Sequence, residues 1–200
     1  KVMLKRAESN EQDHLYRDIE LPLAYVLARM ESVGFAVDRK GLTDYSETLA
    51  AWIAQTERSI YDIAGKPFNI NSPKQLGAVL FEDLKLPHYK KTKSGYSTDV
   101  DVLEKLRRYR PDIIEPILYY RLLQKLKGTY ADGLLKVISD DGRIHTTFKQ
   151  TQTLTGRLSS VEPNLQNIPV RQEMGKELRK FFVAGEGCVL IDADYSQIEL

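Results

Sequence analysis

The 200-residue sequence predicts an α+β chain, helical over its first two thirds and built of short antiparallel strands after that. Three observations carry the expectation. Apolar residues recur at helical spacing from Leu15 to Leu126. The period then shortens toward two, with turn residues separating short β-branched and aromatic runs. Ser72-Pro73-Lys74-Gln75 has the pattern of a helix start.

Taken in order, Leu15, Ile19, Leu23, Val26, Leu27 and Met30 form one apolar stripe, and Leu42, Tyr45, Leu49, Trp52, Ile53, Ile60 and Ile63 a second. Two packed amphipathic helices follow from that spacing. Pro22 kinks or restarts the first, and Gly34 and Asp38 fall in the connection between them. At Ser72 a hydroxyl stands at the N-cap, with Pro73 at the first helical position and Gln75 at the third, which predicts a helix to about Lys85. Residues 90–98, KKTKSGYST, are basic and contain glycine, and are expected as an exposed tip. After Pro111, the residues Ile113, Ile114, Ile117, Leu118, Leu122 and Leu126 give one face of a long helix, while Arg121 and Lys125 share another. LLKVI, the turn SDDG and RIHTTF then predict one β-hairpin; FFVA, GEG and CVLIDAD predict another.

With 42% hydrophobic and 28% charged residues the composition is that of a soluble globular chain, large enough for one domain or two small ones. Its apolar runs are a few residues long, against the roughly 20 needed to cross a bilayer, and the N-terminal KVMLKRAESN lacks a secretory apolar stretch. Cys188 is the single cysteine and is expected to pack among strand residues in a reducing cytoplasm. The sequence starts without methionine and stops directly after a motif, so it reads as a piece of a longer protein.

The net charge of +1 conceals an asymmetry: residues 85–130 hold eleven Lys or Arg against five acids, a local excess of six. Such a centre suits contact with a polyanion, because phosphate neutralisation depends on local charge. A solvated lysine-rich helix surface has the same composition.

Two stretches carry chemistry. In VLIDADYSQIEL, strand alternation puts Asp192 and Asp194 on one face, and paired carboxylates at a strand end suit Mg²⁺. Ser196-Gln197-Ile198-Glu199 also fits a capping box, a reading compatible with a metal-bound triphosphate at the helix start. Upstream, TLTGRLSS offers Gly156 for close backbone approach and Arg157 as a five-donor fork, with Thr155 among the flanking hydroxyls. PNLQNIPVR follows with Asn164, Gln166 and Asn167 between prolines on an extended path ending at Arg171. Carboxamides and arginine reach the minor-groove acceptors that every base pair presents, which is how a duplex is gripped without sequence preference.

TGRLSSVEPNLQNIPVR followed by DYSQIEL resembles the palm of the bacterial DNA polymerase I family, the family A DNA-dependent DNA polymerases, whose first catalytic motif is DYSQIE. NSPKQLGAVLFEDLKLP and LQKLKGTY resemble the thumb, so the likeness covers nearly the whole chain. It implies a connection from a preceding exonuclease-like domain over 1–20, a helical thumb with a basic tip over 21–135, and the first part of an antiparallel palm over 136–200. The fingers and the rest of the palm, with the second catalytic aspartate, would lie elsewhere, and this piece alone would not polymerise. By the same resemblance, Asp194 holds both of two Mg²⁺ ions, with the Tyr195 carbonyl as a further ligand. Glu199 is the steric gate against a 2′-OH. Ser196 and Gln197, with Tyr195, line the dNTP site. Thr155, Arg157, Asn164, Gln166, Asn167 and Arg171 track the duplex near the primer terminus. Lys74, Gln75, Arg121, Lys125 and Lys127 belong to the thumb that clasps it. The implied partners are primer-template DNA and a dNTP, bound by a monomer with no membrane attachment. Asp192 matches no catalytic position. A non-catalytic duplex-binding module and a metal-dependent nuclease are the competing classes.

Overall fold

The computed structural model describes residues 2–89, 91–92, 95–169 and 173–195. Its helices and three two-stranded antiparallel ribbons give the expected α+β class. The chain packs as two compact units, one from Thr43–Gly133 and one from the two ends, up to Leu42 and from Leu134 onward. Residues 21–42 therefore group with the C-terminal part, where the sequence placed them with the thumb.

In the Thr43–Gly133 unit the helical spacing translates directly into a core. It is lined by α3 (Arg39–Ala64), α4 (Pro73–Gly77), α5 (Val100–Leu106) and α6 (Pro111–Lys125). Ile60, Leu76, Leu80, Leu103, Leu106, Ile113, Ile114 and Ile117 are fully buried. Ser72 caps α4, its Oγ accepting from Gln75 N at 3.4 Å. The Gln75 side chain turns to accept from Asn69 N at 2.8 Å, so the reciprocal half of the box is closed onto the preceding loop. A π-helical turn over Ala78–Asp83 carries the element on, as expected, to Leu84. Asp99 caps α5 by accepting from Val102 N at 2.9 Å, and Pro111 opens α6 where its missing N–H costs nothing. The basic stretch at 90–98 contains a ribbon, β2 (Lys91–Thr92) with β3 (Gly95–Tyr96), and not a plain loop. Tyr96 anchors it by packing 4.8 Å from Phe81, ring centroid to ring centroid, and Ser97 and Thr98 behind it are buried.

The other unit begins with α1 (Val2–Ser9), a π-helical turn over Leu15–Glu20 and α2 (Leu21–Val33), which Pro22 restarts. The first apolar stripe is not a packing stripe along its length: Leu27 is buried, while Leu15, Ile19, Val26 and Met30 are about half exposed. Gly34 ends α2 at φ 61°, where a Cβ would meet the His145 ring and the Ile144 carbonyl within 3 Å. β1 (Phe35–Ala36) then pairs with β4 (Arg143–Ile144), and β5 (Thr147–Lys149) with β6 (Ser159–Val161). Of the two predicted hairpins, the first shrinks to one bridge, Ile138 with Ile144, because Leu134 and Leu135 belong to α7 (Asp132–Leu135). The second is absent among the described residues: Phe182 bridges to Val37, but 188–195 has no strand. The stretch has no ladder partner among the described residues, and Val189, Leu190 and Ile191 are exposed. Cys188 is likewise exposed and not packed. No described helix is long and apolar enough to cross a membrane.

Replacing Ser72 by Ala should lower stability by about 1 kcal/mol, the usual worth of an N-cap. Denaturant unfolding with an unchanged midpoint would show that the α4 start is held by Pro73 and the core alone.

Candidate nucleic-acid interface and catalytic carboxylate

The polar tract from Thr151 to Pro169 is almost without regular structure, so its backbone has to be held by side chains. Two buried hydroxyls do most of this. Thr146 Oγ1 and Ser160 Oγ lie 2.7 Å apart, and each reaches the Pro163 carbonyl, at 2.8 and 3.2 Å. Ser160 Oγ also accepts from Leu165 N at 3.1 Å. They pin a turn that contains the cis Glu162–Pro163 peptide and leads into a single 3₁₀ turn, Leu165–Asn167. Asn164 caps that turn through Oδ1, which accepts from Gln166 N at 3.0 Å. The prolines thus frame a folded-back turn and not a continuous extended path.

These bonds sort the expected duplex-contacting residues. Gln166 bridges back to β6: its Oε1 accepts from Ser160 N at 3.2 Å and its Nε2 donates to Leu158 O at 3.1 Å. The Asn164 Nδ2 makes no hydrogen bond among the described residues. Thr155, Arg157, Asn164, Gln166 and Asn167 are all exposed on one unit. Gly156 sits at φ 75° in the turn between Thr155 and Arg157, a conformation that a side chain would strain. The end of the tract is fixed by a close approach invisible to motif reading: a Cβ on Gly175 would stand 2.5 Å from Pro169 Cβ, so α8 (Glu173–Arg179) meets the chain where only glycine fits. Arg171 lies outside the described residues.

Asp192 and Asp194 are exposed, and neither has an ion pair or hydrogen bond among the described residues. With no strand under them, their expected alternation on one strand face is not a feature of the structure. Asp192 joins Phe35, Leu165, Ile168, Arg179 and Phe182 around a pocket of about 500 Å³, which Asp194 does not line. No group of three or more His, Cys, Asp or Glu converges among the described residues. An open carboxylate at Asp194 still fits Mg²⁺, which takes one or two carboxylates and completes its shell with water and phosphate. Tyr195 is exposed; Ser196, Gln197 and Glu199 lie outside the described residues.

On the Thr43–Gly133 unit the residues expected at the thumb divide in two. Lys74, Gln75 and Lys125 are exposed. Arg121 is half-buried, its guanidinium donating to the Thr98 carbonyl and, at 3.1 Å, to Thr98 Oγ1, and burial pulls its pKa below the ordinary value. Lys127 donates to Asp132 Oδ2 at 2.7 Å and to Ser46 Oγ at 3.1 Å. Both cations act as internal ties. Their spacing and charge alone could not distinguish a tie from a phosphate contact: Thr98 lies 23 residues from Arg121, and Lys127 joins Asp132, five residues on, to Ser46, 81 residues back.

A further group carries no motif, because its bonds to α2 come from residues more than 100 positions on and each bond involves a backbone atom or a single carboxylate. His145 Nδ1 lies 2.7 Å from Glu31 O and Nε2 lies 3.1 Å from Asp141 Oδ2; Arg143 Nε donates to Val33 O at 2.6 Å; Phe148 N donates to Glu31 Oε1 at 2.6 Å. Together they strap the end of α2 to β4 and β5, beneath the Thr146–Ser160 lock.

Residues 39–200 match the family described as DNA polymerase family A, and the chain belongs to that family. It is 54% identical to a DNA polymerase I of Lactococcus lactis subsp. lactis over 198 residues, and 54% identical to a DNA polymerase I of Geobacillus stearothermophilus over 200 residues. Each alignment covers 99% of this chain but only 22% and 23% of those proteins, so the chain spans about a quarter of their length or less. Among solved structures it is similar to the POL domain of Pol1 from M. smegmatis, in complex with DNA primer-template and dNTP. That likeness has a TM-score of 0.86 and 44% identity, over 98% of this chain and 35% of that one.

The strap predicts a pH dependence. His145 is raised above its ordinary 6.5 chiefly by the Glu31 carbonyl and then by the Asp141 carboxylate, so the folded state holds its proton more tightly than the unfolded state. Its stabilisation is complete below about pH 6.5 and disappears as pH rises through the raised value. Unfolding free energy should fall across that window in the wild type and flatten in His145→Gln; parallel pH profiles would remove His145 from the linkage.

Proposed function

We propose that this chain is the thumb and first palm segment of a template-directed DNA polymerase, which adds dNTPs to a primer 3′-OH. The observation that carries the reading is the family match over 39–200, together with an exposed carboxylate, without a partner among the described residues, at the position where the family motif DYSQIE begins. The primer-template and dNTP in the M. smegmatis neighbour support DNA and nucleotide as partners.

The primer oxygen attacks the α-phosphorus in line, a new phosphodiester bond forms, and pyrophosphate leaves with the electron pair of the broken bond. Asp194 and the Tyr195 carbonyl would hold Mg²⁺, which when bound lowers the pKa of the attacking hydroxyl and offsets charge on the phosphates, in the two-ion arrangement that the family implies. Glu199 would close the space beside the deoxyribose, with Ser196 and Gln197 along the nucleotide. The Thr146–Ser160 lock fixes the turn from which Asn164 and Asn167 meet the minor groove and backbone, and Arg157 joins them from the Gly156 turn; Gln166 contributes by bracing the first of these. Lys74, Gln75 and Lys125 would meet phosphates on the thumb. The protein would work as a monomer in the cytoplasm.

In the full-length protein, Asp194→Asn should lower single-turnover nucleotide incorporation by at least about a hundredfold, the scale on which one electrostatic stabiliser acts. Asp192→Asn should cost far less. Incorporation by Asp194→Asn near the wild-type rate would take this carboxylate out of the reaction.

A further inference from the structure

Arg107, Arg108 and Arg110 are neighbours with different fates. Arg107 is neutralised by Glu115 at 2.9 Å and Glu104 at 3.7 Å, and Arg110 by Asp112 at 2.8 Å. Arg108 has no carboxylate partner among the described residues. Its Nη2 donates to Tyr89 OH at 3.0 Å and Tyr109 OH at 2.8 Å, while its Cζ lies 4.7 Å from the centroid of the Tyr109 ring. The two hydroxyls are 3.3 Å apart, and Lys105 Nζ stands 5.9 Å from the centroid of the Tyr89 ring. Lys105 also has no acidic partner among the described residues.

Phenolic oxygens and a ring face orient a guanidinium without cancelling its charge. Two of its five N–H donors, both on Nη2, are used, which leaves three on an exposed side chain. One proton can lie between the two hydroxyls; the second phenol keeps a donor with no acceptor. The result is a pre-oriented group of donors and two uncompensated cations, on a surface where both tyrosines are more than 40% exposed. Its chemical complement is an oxyanion that accepts several hydrogen bonds at once.

We propose that Arg108, Tyr89, Tyr109 and Lys105 form a binding site for a phosphodiester of the nucleic-acid backbone. The proposal rests on the polymerase reading for the identity of the polymer. It supplies the open cation that Arg121 and Lys127, tied internally, do not.

The test uses the full-length protein, a primer-template duplex and fluorescence anisotropy over a range of NaCl concentrations. Arg108→Gln should raise Kd by about tenfold, as for loss of a charge-assisted hydrogen bond, and lower the slope of log affinity against log salt by about 0.9. Arg107→Gln removes the same formal charge and should shift the slope by less than half as much. Tyr89→Phe with Tyr109→Phe keeps the rings and the charge but loses the orientation, and should raise Kd by about threefold. At saturating DNA, incorporation kcat should stay at the wild-type value in Arg107→Gln. Wild-type Kd and slope in Arg108→Gln, or equal effects from Arg107→Gln, would overturn the site while leaving the polymerase reading intact. A wild-type protein that neither binds nor extends the duplex would end both.

Discussion

A stretch of chain with almost no regular structure can present side chains to a ligand only if something else satisfies its backbone. Here that constraint is met by two buried hydroxyls, Thr146 on the strand side and Ser160 within β6, which share the Pro163 carbonyl. The second half of the polar tract, from Ser160 to Leu165, hangs from them, while Thr153 Oγ1 donates to the Arg157 carbonyl across the Gly156 turn. Gln166 closes the turn on β6, Asn164 caps the 3₁₀ segment, and Gly175 lets α8 come against Pro169. Buried polar groups of this kind specify one arrangement because leaving any member unpaired is costly. The exposed amides and Arg157 are therefore displayed by a preformed frame.

The same distinction between groups that hold and groups that display runs through the basic segment. Its eleven cations look equivalent as a composition. In the fold Arg107 and Arg110 answer carboxylates, Arg121 answers a buried threonine, and Lys127 answers Asp132 and Ser46. Salt bridges between exposed groups contribute little stability, but they remove charge from what a polyanion meets. Arg108, oriented by tyrosines, keeps its charge.

How much of this was legible in the sequence follows from the range of the interactions. The Ser72-Pro73 start and the boundary glycine at 34 depend on neighbours within a turn, and both are present; α6 buries Ile113, Ile114 and Ile117 as expected but completes its face with Tyr120 and Leu123, leaving Leu118 and Leu122 partly exposed. The first apolar stripe and the CVLIDAD strand depend on what lies against them. Val26, Met30 and Ile191 are exposed among the described residues, and no ladder forms under Asp192 and Asp194. Roles for Gln166, Arg121 and Lys127 required knowing partners outside the helical i, i+3 and i, i+4 pattern, the nearest five residues away. The family resemblance supplied what periodicity could not, since the spacing of Ser196 and Glu199 reads as a capping box and only the resemblance makes them nucleotide-site residues beside a metal ligand at Asp194.

The central claim is that the Asp194 carboxylate binds the cation that serves nucleotidyl transfer. It is tested most directly by soaking Mn²⁺ into crystals of the full-length protein with primer-template and a non-hydrolysable dNTP, and locating the ion by anomalous scattering. The account predicts a peak about 2.2 Å from an Asp194 oxygen, close to the distance typical of Mg²⁺ sites. Cations bound at the nucleotide with Asp194 outside their coordination shell would contradict it.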